Sequence, residues 1–115
     1  MNLFTLKNYG QRLENMVYLE LLSRIDKNPL MKINYWKSKN NSEVDFIINN
    51  GREINQLIQV CYDYNEENKD REIKGLIEAM QEFKIKEGLI LTLDQEEEFS
   101  IKGKKIIVKP VWKWM

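Results

Sequence analysis

Asn41-Ser-Glu43-Val-Asp45-Phe-Ile-Ile48-Asn-Asn-Gly51-Arg-Glu-Ile54-Asn-Gln-Leu57-Ile-Gln59-Val-Cys61-Tyr-Asp-Tyr64 alternates polar with apolar residues on either side of an Asn-Asn-Gly sequence. A period of two is the signature of a half-buried strand, so two antiparallel strands joined by a turn are expected here. In the first strand Val44, Phe46 and Ile48 face one way, and Glu43, Asp45 and Ile47 the other. Asn49-Asn50-Gly51 supplies residues that tolerate positive φ, and the chain returns through Leu57-Ile58-Gln59-Val60-Cys61. Asp45 then sits in mid-strand, while Gln59 and Cys61 share one face of the returning strand.

Upstream, residues 7–25 read as a helix with an apolar arc of Leu13, Met16, Val17, Leu21 and Ile25. Steps of about 100° put Glu20 near the middle of that arc and Glu14 at its edge. Glu20 is therefore an acid turned toward the core, either a site residue or a carboxylate bonded to Arg12 or Arg24. Asp26-Lys27-Asn28-Pro29 ends the helix, and Lys32–Lys37 forms a strand that begins a three-strand antiparallel meander.

Downstream, Asn65-Glu66-Glu67-Asn68 offers cap residues and first-turn acids for a second helix reaching Phe83. Its stripe of Ile73, Leu76, Ile77, Met80 and Phe83 is core packing. Leu89-Ile90-Leu91-Thr92-Leu93 reads as a strand buried on both faces, set parallel to Leu57–Cys61 by a right-handed crossover. The tail from Phe99 to Val108 is a short hairpin around Lys102-Gly103-Lys104-Lys105, read as a solvated edge that uses lysines against edge-to-edge pairing.

Composition narrows the classes of function. Eighteen basic residues are cancelled by eighteen acidic ones, so overall charge does not favour a duplex held by its phosphates. The absence of histidine excludes a His-ligated zinc and a His-activated nucleophile, and one cysteine cannot form an internal disulfide. These features, with no apolar run of membrane-spanning length, lead to the expectation of one soluble cytoplasmic domain over residues 1–115. Cys61 is expected to be a packed strand residue; Asp63 either adds a carboxylate near the site mouth, with Arg71-Glu72 nearby, or forms a structural ion pair with Arg71.

The order helix, meander, helix, buried strand, with an acid on the second strand and a polar pair on the third, resembles the PD-(D/E)XK or restriction-endonuclease-like superfamily. More narrowly, Leu13-Glu14-Asn15, Val17-Tyr18-Leu19-Glu20-Leu21, Tyr35-Trp36-Lys37-Ser38-Lys39, Glu43-Val44-Asp45-Phe46 and Leu57-Ile58-Gln59-Val60-Cys61 resemble the DUF4143 domain found at the C-terminus of archaeal and bacterial AAA+ ATPases. The resemblance implies an α/β fold: a mixed sheet of the meander plus a parallel strand, flanked by two helices, with a C-terminal β-hairpin. It also implies a metal site at Asp45, Gln59 and Glu20, with Cys61 at the position of the catalytic lysine and Lys37 or Lys39 as substitutes. Such nucleases use Mg²⁺ on hard oxygen ligands. Gln59 offers only a neutral carbonyl, and Cys61 no fixed positive charge. The expected function is a degenerate nuclease-like domain serving in protein or nucleic-acid binding, with no cofactor. The alternative is a weakly active Mg²⁺-dependent DNA endonuclease, in which Cys61→Lys with Gln59→Glu would raise cleavage. The implied partners are DNA, an AAA+ ATPase or a second copy of the chain, and no membrane. No Gly-x-x-x-x-Gly-Lys-Ser/Thr sequence is present, so the chain has no ATP site of that kind.

Overall fold

A computed structural model describes residues 3–115, with side chains from Tyr9 onward. The elements run α1 (Leu3–Lys27), β1 (Lys32–Lys37), β2 (Glu43–Asn49), β3 (Ile54–Val60), α2 (Glu66–Phe83), β4 (Glu87–Thr92), β5 (Glu97–Ile101), β6 (Lys104–Pro110) and α3 (Val111–Trp114). The result is an α/β fold with one six-stranded mixed sheet in the order β1-β2-β3-β4-β6-β5. β1, β2 and β3 form the antiparallel meander, and β4 pairs parallel to β3, with Ile58 opposite Leu89 and Val60 opposite Leu91.

Local chemistry accounts for the boundaries. Asn65 caps α2, its Oδ1 accepting the N–H groups of Glu67 and Asn68 at 2.9 and 3.0 Å. Lys84 ends α2 in the left-handed region, and the N–H of Ile85 returns to the Met80 carbonyl at 3.0 Å. Between β2 and β3 only Gly51 takes positive φ (105°), whereas both asparagines keep negative φ. The Asn side chains act differently there: Asn49 Oδ1 accepts the Gly51 N–H at 2.7 Å, and Asn50 Oδ1 accepts those of Arg52 and Glu53.

The sheet is covered on both faces. On one side Leu76, Ala79 and Met80 of α2 pack against Val44, Ile47, Leu57, Ile90, Ile106 and Val108. On the other, Leu13, Val17 and Leu21 of α1 and Val111 of α3 pack against Phe46, Ile48, Ile58 and Leu91. β4 is therefore buried on both faces, as its apolar run implies.

Several expectations change. The C-terminal hairpin is not a solvated edge: β6 lies inside the sheet, parallel to β4, with Ile106 and Val108 fully buried, and β5 alone forms that edge. Its lysines alternate with those apolar residues, so the period of two marked an internal strand. A third helix, α3, joins the two expected. Val44 joins the α2-side core instead of facing with Phe46 and Ile48, at the point where β1 slips register against β2 between Asn34 and Trp36. Met16, placed in the inner arc of α1, is exposed. Among the described residues no helix is long and apolar enough to cross a membrane.

Candidate functional site

β2 and β3 part company near the middle of the sheet. Their pairing runs from Asn49 opposite Ile54 to Phe46 opposite Ile58, and beyond that point β3 continues beside β4 while β2 diverges. The N–H of Cys61 carries the β4 pairing one residue further, to the Leu91 carbonyl at 2.8 Å. The divergence strands polar backbone groups that need partners.

Side chains fill the gap. The Val60 N–H donates to Asp45 Oδ2 at 2.8 Å, and the Asp45 N–H donates to Gln59 Oε1 at 3.0 Å. Gln59 Nε2 donates to the Glu43 carbonyl at 2.7 Å and to the Glu72 carbonyl of α2 at 3.3 Å. A buried amide is thus connected at both ends, tying β2, β3 and α2 together. Gly75 lets α2 come this close: a β-carbon there would collide with the Glu43 carbonyl oxygen and lie 2.9 Å from Gln59 Nε2.

Around this knot lies a cleft of about 290 Å³, lined in part by Glu43, Asp45, Gln59, Arg71, Glu72 and Lys74. Burial pushes the Asp45 carboxyl up to about 6; the hydrogen bond from Val60 opposes this, and the negative charges of Glu14 and Glu43 add to it. Burial likewise raises Glu72 to about 7, reinforced by the charge of Asp45 and opposed by Arg71, whose Nη2 lies 3.6 Å from Glu72 Oε1. Two neighbouring acids with raised pKa values therefore face one polar cleft.

The residues expected to form the site separate. Asp45 and Gln59 are together, but joined through each other's backbone. Cys61 is buried in the α2-side core, and burial pushes its thiol up to about 11, so it remains neutral. Glu20 lies outside the cleft lining and bonds Arg24 Nε at 2.9 Å, the bland alternative for that acid. Arg24 in turn holds α3, its guanidinium 4.2 Å from the Trp114 ring centre and its Nη2 donating to the Trp114 carbonyl at 3.0 Å. Lys37 and Lys39 line a different hollow beside Trp36 and Glu78. Arg71 pairs with Glu72, and among the described residues no ion pair joins it to Asp63.

The acids whose charges raise Asp45 are Glu14 and Glu43, and Asp45 in turn raises Glu72. Glu72 is readable from the sequence: it stands three and four residues before the buried Gly75 and Leu76, on the inner side of α2, whereas Glu14 is exposed on α1. Among the described residues no three acids or cysteines converge as a group able to hold a metal ion.

The sequence matches the family model described as Domain of unknown function (DUF4143) over residues 9–114. It is 38% identical over 116 residues to a protein named Uncharacterized protein MJ1544 from Methanocaldococcus jannaschii. That match covers 94% of this chain and 25% of the relative, so the chain spans about a quarter of that protein's length.

Proposed function

The chain belongs to the DUF4143 family, and we propose that it is a binding and assembly domain on a restriction-endonuclease-like fold whose former metal position is now part of the scaffold. The order α1, antiparallel β1-β2-β3, α2, parallel β4 supports that assignment of the fold. The observation that carries the functional reading is the Gln59 amide: its oxygen is held by the Asp45 N–H and its nitrogen by two carbonyls. A ligand to Mg²⁺ would have to release that oxygen and leave a buried N–H without its acceptor. Asp45 Oδ2 is similarly engaged by Val60. Cys61, neutral and buried, cannot replace a lysine. The residues present therefore do not suit a Mg²⁺ site of the nuclease kind.

A net charge of zero favours a protein surface over a nucleic-acid backbone as the bound partner. The relative's much greater length accords with a domain that works beside others. The second reading, a weak Mg²⁺-dependent DNA endonuclease, draws on Glu72 beside Asp45.

Calorimetric titration with Mn²⁺, run alongside a supercoiled-plasmid assay on the wild type and Asp45→Ala, separates the two. No binding heat and no nicking above buffer are expected, with Asp45→Ala less stable than the wild type. Metal-dependent nicking that Asp45→Ala removes would overturn the proposal in favour of the endonuclease.

A further inference from the structure

α1 is apolar on two opposite sides. Leu13, Val17 and Leu21 face the sheet, while Met16, Leu19 and Leu22 on the far side are 44%, 65% and 37% exposed. A helix that covers one core normally turns a polar face outward. Tyr18, also exposed, stacks on Phe46 at 6.1 Å and so belongs to the fold; the outer leucines and methionine have no such role.

The residues flanking them are symmetric about Leu19. Met16 and Leu22 stand three positions away on either side, Asn15 and Ser23 four, Arg12 and Asp26 seven. At about 100° per residue all lie within about 60° of Leu19, so they form one stripe. Arg12, Leu19 and Asp26 repeat at seven residues, the spacing of a helix-pairing seam. Neither Arg12 nor Asp26 has an ion-pair partner among the described residues; the Arg12 guanidinium lies 5.8 Å from the Tyr9 ring centre.

We propose that the outer face of α1 pairs antiparallel with the same face of a second copy of this chain, about a two-fold axis at Leu19. In that arrangement Leu19 meets its own copy, Met16 meets Leu22, and Arg12 of each copy meets Asp26 of the other. Parallel pairing would set Arg12 against Arg12 and Asp26 against Asp26, so charge selects the antiparallel alignment. The stripe spans about 21 Å at 1.5 Å per residue, a contact smaller than that of a permanent dimer, and the two states should exchange with concentration. The proposal goes beyond the reading of the cleft and holds whether or not Asp45 takes up metal.

Sedimentation velocity on the whole chain from about 10 µM to about 1 mM tests it. The wild type should shift from monomer toward dimer across that range. Arg12→Glu and Asp26→Arg should each weaken association roughly tenfold, since each turns two attractions into two repulsions. Combining them should restore it, because the reversed charges again face each other. Leu19→Glu, which sets two carboxylates on the axis, should leave only monomer. All three positions are exposed, and circular dichroism checks that each variant keeps the fold. A wild type that stays monomeric throughout, or a dimer indifferent to these charge reversals and to Leu19→Glu, would overturn the proposal.

Discussion

Asp45 and Gln59 each bind the other's strand instead of sharing a third atom between them. The Gln59 oxygen takes the Asp45 N–H at 3.0 Å, and an Asp45 oxygen takes the N–H of the residue after Gln59 at 2.8 Å. The two side chains close a gap that backbone pairing leaves open, so each is needed for the sheet before any question of chemistry arises.

Gln59→Glu should therefore weaken the protein rather than restore a metal ligand. A carboxylate only accepts, and it would face the Glu43 and Glu72 carbonyls to which Gln59 Nε2 now donates at 2.7 and 3.3 Å. A further buried charge would also lie beside two acids whose pKa values are already raised. A loss of about 2–4 kcal/mol is expected by urea unfolding, and the double variant Gln59→Glu with Cys61→Lys should show no plasmid cleavage. A double variant that is as stable as the wild type and cuts DNA would contradict this account.

Gly75→Ala tests the same knot from the helix side. Its β-carbon has no room against the Glu43 carbonyl, and backbone cannot swing away as a flexible side chain can. α2 must shift outward and pull on the Gln59 bonds. We expect a loss of about 3 kcal/mol, against the gain of about 1 kcal/mol that helix propensity alone would give. Thermal denaturation decides between the two signs.

Arg24→Lys should loosen the C-terminus more than Glu20→Gln does. The guanidinium bonds Glu20, bonds the Trp114 carbonyl and lies over the indole; a lysine ammonium cannot do all three. About 1–2 kcal/mol should be lost, against about 0.5 kcal/mol for the i,i+4 pair removed by Glu20→Gln. Hydrogen exchange at Met115, whose N–H bonds the Val111 carbonyl at 3.0 Å, should quicken in the first variant only.

The meander, covered on both faces, is legible from its Asn-Asn-Gly turn and the apolar runs beside it; α2 is legible because it has one buried face, and a single period then survives in the sequence. α1 was misread for the opposite reason. Met16 and Leu22 belong to its outer stripe, so counting Met16 with Leu13 and Val17 widens the apparent inner arc beyond the face of Leu13, Val17 and Leu21 that packs on the sheet. β6 reads as an edge because its lysines mask an alternation whose buried members, Ile106 and Val108, are packed by elements far along the chain. The use made of Gln59 had no sequence signal: it depends on where β3 leaves β2, which local pattern does not encode.

Stability should fall as pH rises from mildly acid to neutral, the reverse of what paired carboxylates produce. Asp45 moves from an ordinary 3.8 to about 6 and Glu72 from 4.5 to about 7, both chiefly by burial. Between those limits the folded chain holds protons that the unfolded chain has released, so their contribution is complete below about pH 4 and is lost as pH passes through 6 and 7. Glu78 acts in the other direction: Ser42 and Asn40 hold it below its usual range, so its contribution disappears only as pH falls. The optimum should then lie on the acid side of neutrality. Asp45→Asn keeps an oxygen for the Val60 N–H while removing the charge, and also removes one cause of the Glu72 shift. Urea unfolding at pH 5 and pH 8 should show the wild type losing on the order of 3 kcal/mol across the interval and Asp45→Asn losing less than half of that. A wild type more stable at pH 8 than at pH 5 would mean that Asp45 and Glu72 are ionised in the folded cleft, held there by Arg71 and Lys74.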